Sequence, residues 1–163
     1  MTIFSSQALL AASMSVSAIL GSKSVHTEII IPRTPEKVWQ VLTDIERYQE
    51  WNTAITLVKG TLEVGNKVTY HFQETDSKGA NISSEVIEIT PYTHLNHKGG
   101  IWGVITFEQH YYLEPHELGT KFVIHEDYTG IYVNFWDESH TQQQYQNMAE
   151  ALKARVLNLY PSK

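Results

Sequence analysis

From residue 54 to residue 130 the hydropathy alternates with a period of two, which commits this chain to a sheet-based fold. Six candidate strands (54–59, 66–75, 81–90, 94–101, 105–114 and 120–130) are separated by turn chemistry. The separators are Gly65-Asn66, Asp76-Ser77-Lys78-Gly79, Pro91-Tyr92, Gly103 and the stretch Pro115 to Gly119. Strands so evenly spaced and so briefly connected pair as an antiparallel meander.

Helical periodicity brackets this region. His26 to Ile31 is β-branched and stops at Pro32, reading as a first strand. Thr34 and Pro35 then form a helix start, and Val38, Trp39, Val41, Leu42 and Ile45 supply its apolar stripe. A second short helix runs from Ile45 to Trp51 and ends at Asn52. A long helix is expected from about Asp137 to Tyr160, with Tyr145, Met148, Leu152, Val156 and Leu159 on one face and Pro161 as its stop. A meander with one apolar face needs a cover, and the long helix is the only element large enough. The expectation is an α+β fold: a curved antiparallel sheet around a long C-terminal helix, two short helices after the first strand, and room for a cavity between the layers.

Charge narrows the function. The 163 residues carry 18 acidic and 12 basic side chains, net −6, which argues against nucleic-acid binding because phosphate neutralisation needs surplus Lys and Arg. The absence of cysteine excludes disulfides, thiolate metal sites and a cysteine nucleophile. Residues 1–22 contain no charge; the first is Lys23. Residues 1–23 therefore read as an apolar leader outside the domain, 24–163. Three forms fit it. A signal sequence is suggested by the small-residue site Val16-Ser17-Ala18, though without a basic start. A membrane anchor is suggested by its length, against its many serines. A frayed terminus is the third. Membrane contact through residues 1–22 follows from either of the first two, and export or tethering stands beside a cytoplasmic location.

Strand alternation assigns the inner face. It carries Tyr70 and Phe72, then Ile82, Ser84 and Val86, then Leu95 and His97. Phe107, Gln109 and Tyr111 follow on the next strand, and Phe122, Ile124, Glu126 and Tyr128 on the last. The hairpin lengths place His97, Gln109 and Glu126 side by side across three strands, a polar row on a face expected to be buried. Such a row is either a satisfied internal network, a polar anchor for a ligand, or an acid–base pair of His97 and Glu126. The aromatic excess, with Tyr145, Met148 and Leu152 of the long helix, is both core and candidate pocket wall. Tyr132, Phe135 and Trp136 would form its mouth. A metal site is not expected: His94 and His97 point to opposite faces, and His71, His110 and His125 fall outside.

The stretches PEKVWQVLTDIERYQEWN (35–52), GNKVTYHF (65–72), HYYLEPHELGTKFVIHEDYTG (110–130) and MAEALKAR (148–155) resemble the START-like, or SRPBCC, superfamily. The branch is that of polyketide cyclases/dehydrases and lipid transport, and the likeness covers roughly residues 25–160. It implies the helix-grip fold and a cage for a small hydrophobic ligand of lipid, sterol or polyketide type, without a cofactor. Two alternatives accompany it: a cyclase- or dehydratase-type enzyme using His97 and Glu126, and a protein-interaction or stress-response module with a collapsed cavity.

Overall fold

The computed structural model describes residues 19–75 and 77–162. The elements in chain order are β1 (Gly21–Ile31), a first helix (Pro35–Thr43), a 3-10 turn (Ile45–Glu50), β2 (Ile55–Lys59), β3 (Lys67–Thr75), β4 (Lys78–Thr90) and β5 (His94–Ile101). They continue with β6 (Ile105–His116), β7 (Gly119–Gly130), a second 3-10 turn (Tyr132–Asn134) and a terminal helix (Ser139–Leu159). The seven strands make one antiparallel sheet in the order β1-β7-β6-β5-β4-β3-β2. The sheet curls around the terminal helix, as the alternation and the long apolar stripe require. No helix among the described residues is long and apolar enough to cross a membrane, and residues 1–18 of the leader lie outside the described residues.

Three local features depart from the sequence expectations. β1 begins at Gly21, not His26, because it pairs with β7 along its whole length, from Gly21↔Gly130 to Ile31↔Thr120. A polar segment such as Gly21-Ser22-Lys23-Ser24 has little strand propensity of its own; the ladder supplies the stabilisation. The second short helix is a 3-10 turn, pinned where the Tyr48 hydroxyl donates to the Leu42 carbonyl at 2.5 Å. Thr34 sits at the cap of the first helix, with Pro35 following, but its side chain makes no capping hydrogen bond.

The core lies between the inner sheet face and the helices. Leu95, Leu113, Phe122 and Ile124 of the sheet meet Met148, Leu152 and Val156 of the terminal helix, with Val38 and Leu42 closing one end. A bulge in β4 keeps both Val86 and Ile89 inward: Val86 faces His97 while Glu88 faces Asn96, so Ile87 is the extra residue and points out.

Gly99 marks where the inner face must stay bare. A Cβ there would lie 2.5 Å from Phe107 Cζ and 2.7 Å from the Ser83 carbonyl oxygen. Gly99→Ala is expected to lower stability by about 1–3 kcal/mol through overpacking. A drop in urea midpoint at unchanged m-value would register it.

Candidate functional site

The terminal helix cannot fill the space beneath it along its whole length. Its first residues, Ser139-His140-Thr141-Gln142-Gln143-Gln144, carry no large apolar side chain, and tight packing starts at Tyr145. Gln142 instead turns to β1, donating to the His26 carbonyl and Thr27 Oγ1, both at 2.8 Å. The helix start is thus fastened to the sheet edge without plugging the interior. A cavity of about 920 Å³ results, reaching out between the β3–β4 and β5–β6 hairpins. The interior is therefore not collapsed, contrary to the third sequence expectation.

Six aromatic side chains line it, Tyr70, Phe72, Phe107, Tyr128, Trp136 and Tyr145, beside the polar Lys78, Asn81, Ser84 and Thr141. Its polar floor comes from two strands. Gln109 of β6 pairs directly with Glu126 of β7, and His97 of β5 pairs with Gln109, so the row deduced from the sequence exists. The side chains divide it. Tyr145 reaches down from the helix and its hydroxyl donates to Glu126 Oε2, while Tyr128 donates to the same oxygen at 2.5 Å. The Tyr145 oxygen in turn accepts from Gln109 Nε2 at 2.6 Å, which fixes the orientation of the amide. Among the described residues, Glu126 Oε1 and Gln109 Oε1 accept no hydrogen bond, and both side chains line the cavity.

His97 is not joined to this network. It lies sealed behind the cavity, with Nδ1 3.4 Å from Ser84 Oγ and the rings of Tyr70 and Tyr111 edge-on against it. Of the residues the sequence nominates, Tyr70, Phe72, Phe107, Gln109, Glu126, Tyr128 and Tyr145 line the cavity. Val86, His97, Tyr111, Ile124, Met148 and Leu152 are buried in the core beyond it. Sequence reasoning missed Thr141, legible as four residues before Tyr145 on the same helix face, and the wall from Ser77 to Asn81 leading into β4, which Ile82 and Ser84, already placed on the inner face, continue. On the outer face, His94 stacks on His110 and Tyr112, and His26 lies beside His125. No group of three or more His, Asp or Glu among the described residues is arranged to hold a metal.

A curved sheet gripping one helix, with a cavity between them, defines the helix-grip fold. The sequence carries the same assignment: the model of the family "Polyketide cyclase / dehydrase and lipid transport" matches residues 22–157, and the chain belongs to that family. Similar solved structures include the ZhuI aromatase/cyclase from a Streptomyces species, at TM-score 0.69 and 12% identity, covering 86% of this chain and 98% of that one. A protein from Thermus thermophilus aligns at TM-score 0.69 and 16% identity, covering 85% and 99%. Ara h 8.0201 aligns at TM-score 0.62 and 16% identity, again covering 85% and 99%. At such identities the likeness is one of fold. Among curated proteins, none matches.

Burial sets the charge state of the floor. Loss of hydration pushes the Glu126 carboxyl up to about 7, outweighing the two tyrosine hydroxyls that favour its anion. The same loss pulls His97 down to about 4. Between those values both groups are mostly neutral, so the interior holds no ion pair. The two act on stability with opposite signs. Folded Glu126 binds its proton more tightly than the unfolded chain does, so its contribution is present at low pH and is lost as pH rises from 4.5 through about 7. Folded His97 binds its proton less tightly, so its contribution is lost as pH falls from 6.5 through about 4. Relative to wild type, Glu126→Gln should gain on the order of 2 kcal/mol between pH 5 and pH 7, and His97→Asn should lose a similar amount. Urea midpoints at the two pH values measure both; parallel profiles for all three proteins would refute the assignment.

Proposed function

We propose that this protein binds a small hydrophobic or amphipathic molecule of lipid, sterol or polyketide size in its internal cavity. The apolar body lies against the aromatic walls, and a hydrogen-bond donor on the ligand, a hydroxyl or an amine, faces Glu126 and Gln109. One observation carries this reading: beside the aromatic rings of the cavity, Glu126 and Gln109 present two acceptor oxygens that no described residue pairs. The volume falls in the range of small-molecule sites, roughly 300–1,000 Å³. Burying apolar ligand surface contributes about 25 cal/mol per Å² before ordering costs. Above about pH 7, where Glu126 is mostly its anion, the acceptors then orient the ligand, because a donor satisfies them and a carboxylate meets that anion unfavourably.

A second reading is proton-transfer catalysis by Glu126, whose pKa of about 7 suits a general acid or base at neutral pH. Its partner would be a tyrosine of the network, since His97 does not line the cavity.

Titration with N-phenyl-1-naphthylamine, an apolar fluorophore with one N–H donor, tests the binding reading. Saturable one-to-one binding is expected. At pH 8, Glu126→Gln should weaken it about tenfold, or about 1.4 kcal/mol. In that variant the two tyrosine hydroxyls hold the amide oxygen and turn its NH2 towards the ligand. Equal affinity for both proteins, or no saturable binding, would sink the reading.

A further inference from the structure

The mouth of the cavity is bordered by exposed apolar side chains on two loops. At the β5–β6 turn, Trp102 is 84% exposed, with Ile101 and Val104 beside it. After β7, Phe135 is 82% exposed, with Ile131 and Tyr132 beside it. The loops form one surface: the Ile131 amide donates to the Gly103 carbonyl at 3.1 Å, and the Tyr132 amide to the Val104 carbonyl at 3.0 Å. Both belong to stretches without charge, residues 99–107 and 128–136. Ile101, Ile105 and Trp136 of the same stretches line the cavity, so the rim and the entrance are continuous.

A third uncharged stretch starts here. Asn134 Nδ2 donates to the Ile19 carbonyl at 2.9 Å, and Gly21 packs against the Asn134 side chain. The charge-free residues 1–18 therefore connect to the fold at this rim. Large exposed apolar patches on soluble domains mark interaction sites, and Trp, Tyr and Phe at loop tips suit the boundary between lipid headgroups and acyl chains.

We propose that this rim docks on a zwitterionic lipid bilayer, with Trp102 and Phe135 entering the interface and the cavity mouth facing the acyl region. Three features select a neutral bilayer over other occupants. Neither of these two loops carries Lys or Arg to attract anionic lipid; Lys78, which lines the cavity from the β3–β4 hairpin, lies two residues from Asp76 in the sequence, and the nearby Lys23 is held by Glu138 at 2.7 Å. The net charge of −6 opposes approach to an anionic surface. Ile19 is tied to Asn134 beside the rim, so the uncharged sequence 1–18 joins the fold next to it.

The test uses the full chain and sucrose-loaded phosphatidylcholine vesicles. Sedimentation with the vesicles is expected, little changed by 20% phosphatidylserine or by 0.5 M salt. Trp102→Ala/Phe135→Ala should reduce the bound fraction at least tenfold while its thermal midpoint stays at that of wild type. Should the double variant fold poorly, Trp102→Ser and Phe135→Ser singly serve the same purpose. Vesicles of brominated phosphatidylcholine should quench the tryptophan fluorescence of wild type and quench Trp102→Phe clearly less. Four results would overturn the proposal: no vesicle binding; binding undiminished in the rim variants, which assigns it to the leader alone; binding only to anionic vesicles; or rim variants that alter self-association but not vesicle binding.

Discussion

The pairing of β6 with β7 is the constraint from which the rest follows. The two strands run in unbroken register from Thr106↔Thr129 to His116↔Gly119, and β1 extends the same ladder along the full length of β7. A slip of one residue would turn Phe107, Gln109, Tyr111 and Leu113 outward and bring Glu108, His110 and Tyr112 into the core. The short Glu117-Leu118 turn, with Gly119 at φ +134°, closes the hairpin and holds that register. Because the inner faces of both strands are then determined, Gln109 and Glu126 must meet, and both must be buried.

What becomes of that buried pair depends on the helix above it. The terminal helix is apolar only from Tyr145 onward, so the interior is a packed core at one end and a cavity at the other. Tyr145 stands at the boundary. Its ring packs edge-on against Phe72 at 6.2 Å, and its hydroxyl ties Glu126 to Gln109. The same residue therefore ends the core and completes the polar floor. His97, one strand beyond Gln109, falls on the core side of that boundary, where Tyr70 and Tyr111 enclose it.

The sequence makes the strand faces legible because alternation and hairpin length are local properties. The row His97–Gln109–Glu126 is readable for that reason. Three things are not. The early start of β1 rests on pairing with a strand about a hundred residues away, and the bulge at Ile87 leaves no mark in the alternation of β4 until its partner is known. The division of the row rests on how far the helix reaches and on which amide Tyr145 engages. Val86, Ile124 and Leu152 share the inward orientation of Phe72 and Tyr128, yet only the last two meet the cavity. Inward direction is a property of the strand; exposure to a void is a property of the packing above it.

A fold that needed only a core would place an apolar side chain at position 126. Removing a carboxyl from water is costly, and packed apolar groups can replace buried polar ones without loss of stability. Two tyrosine hydroxyls on one carboxylate oxygen soften the cost but leave the other oxygen facing the void. The arrangement is wasteful as architecture and fits the proposed role in recognition. It holds one oxygen rigidly so that the second keeps a fixed direction, and the Tyr145–Gln109 bond does the same for a second acceptor beside it. The rigid elements of the sheet thus hold Gln109 and Glu126 in the cavity wall, and the exposed Trp102 and Phe135 stand near its entrance. On the proposed binding role, an apolar rim followed by a polar floor is the order that a molecule with an apolar body and one donor group would meet in passing from an apolar medium into this protein.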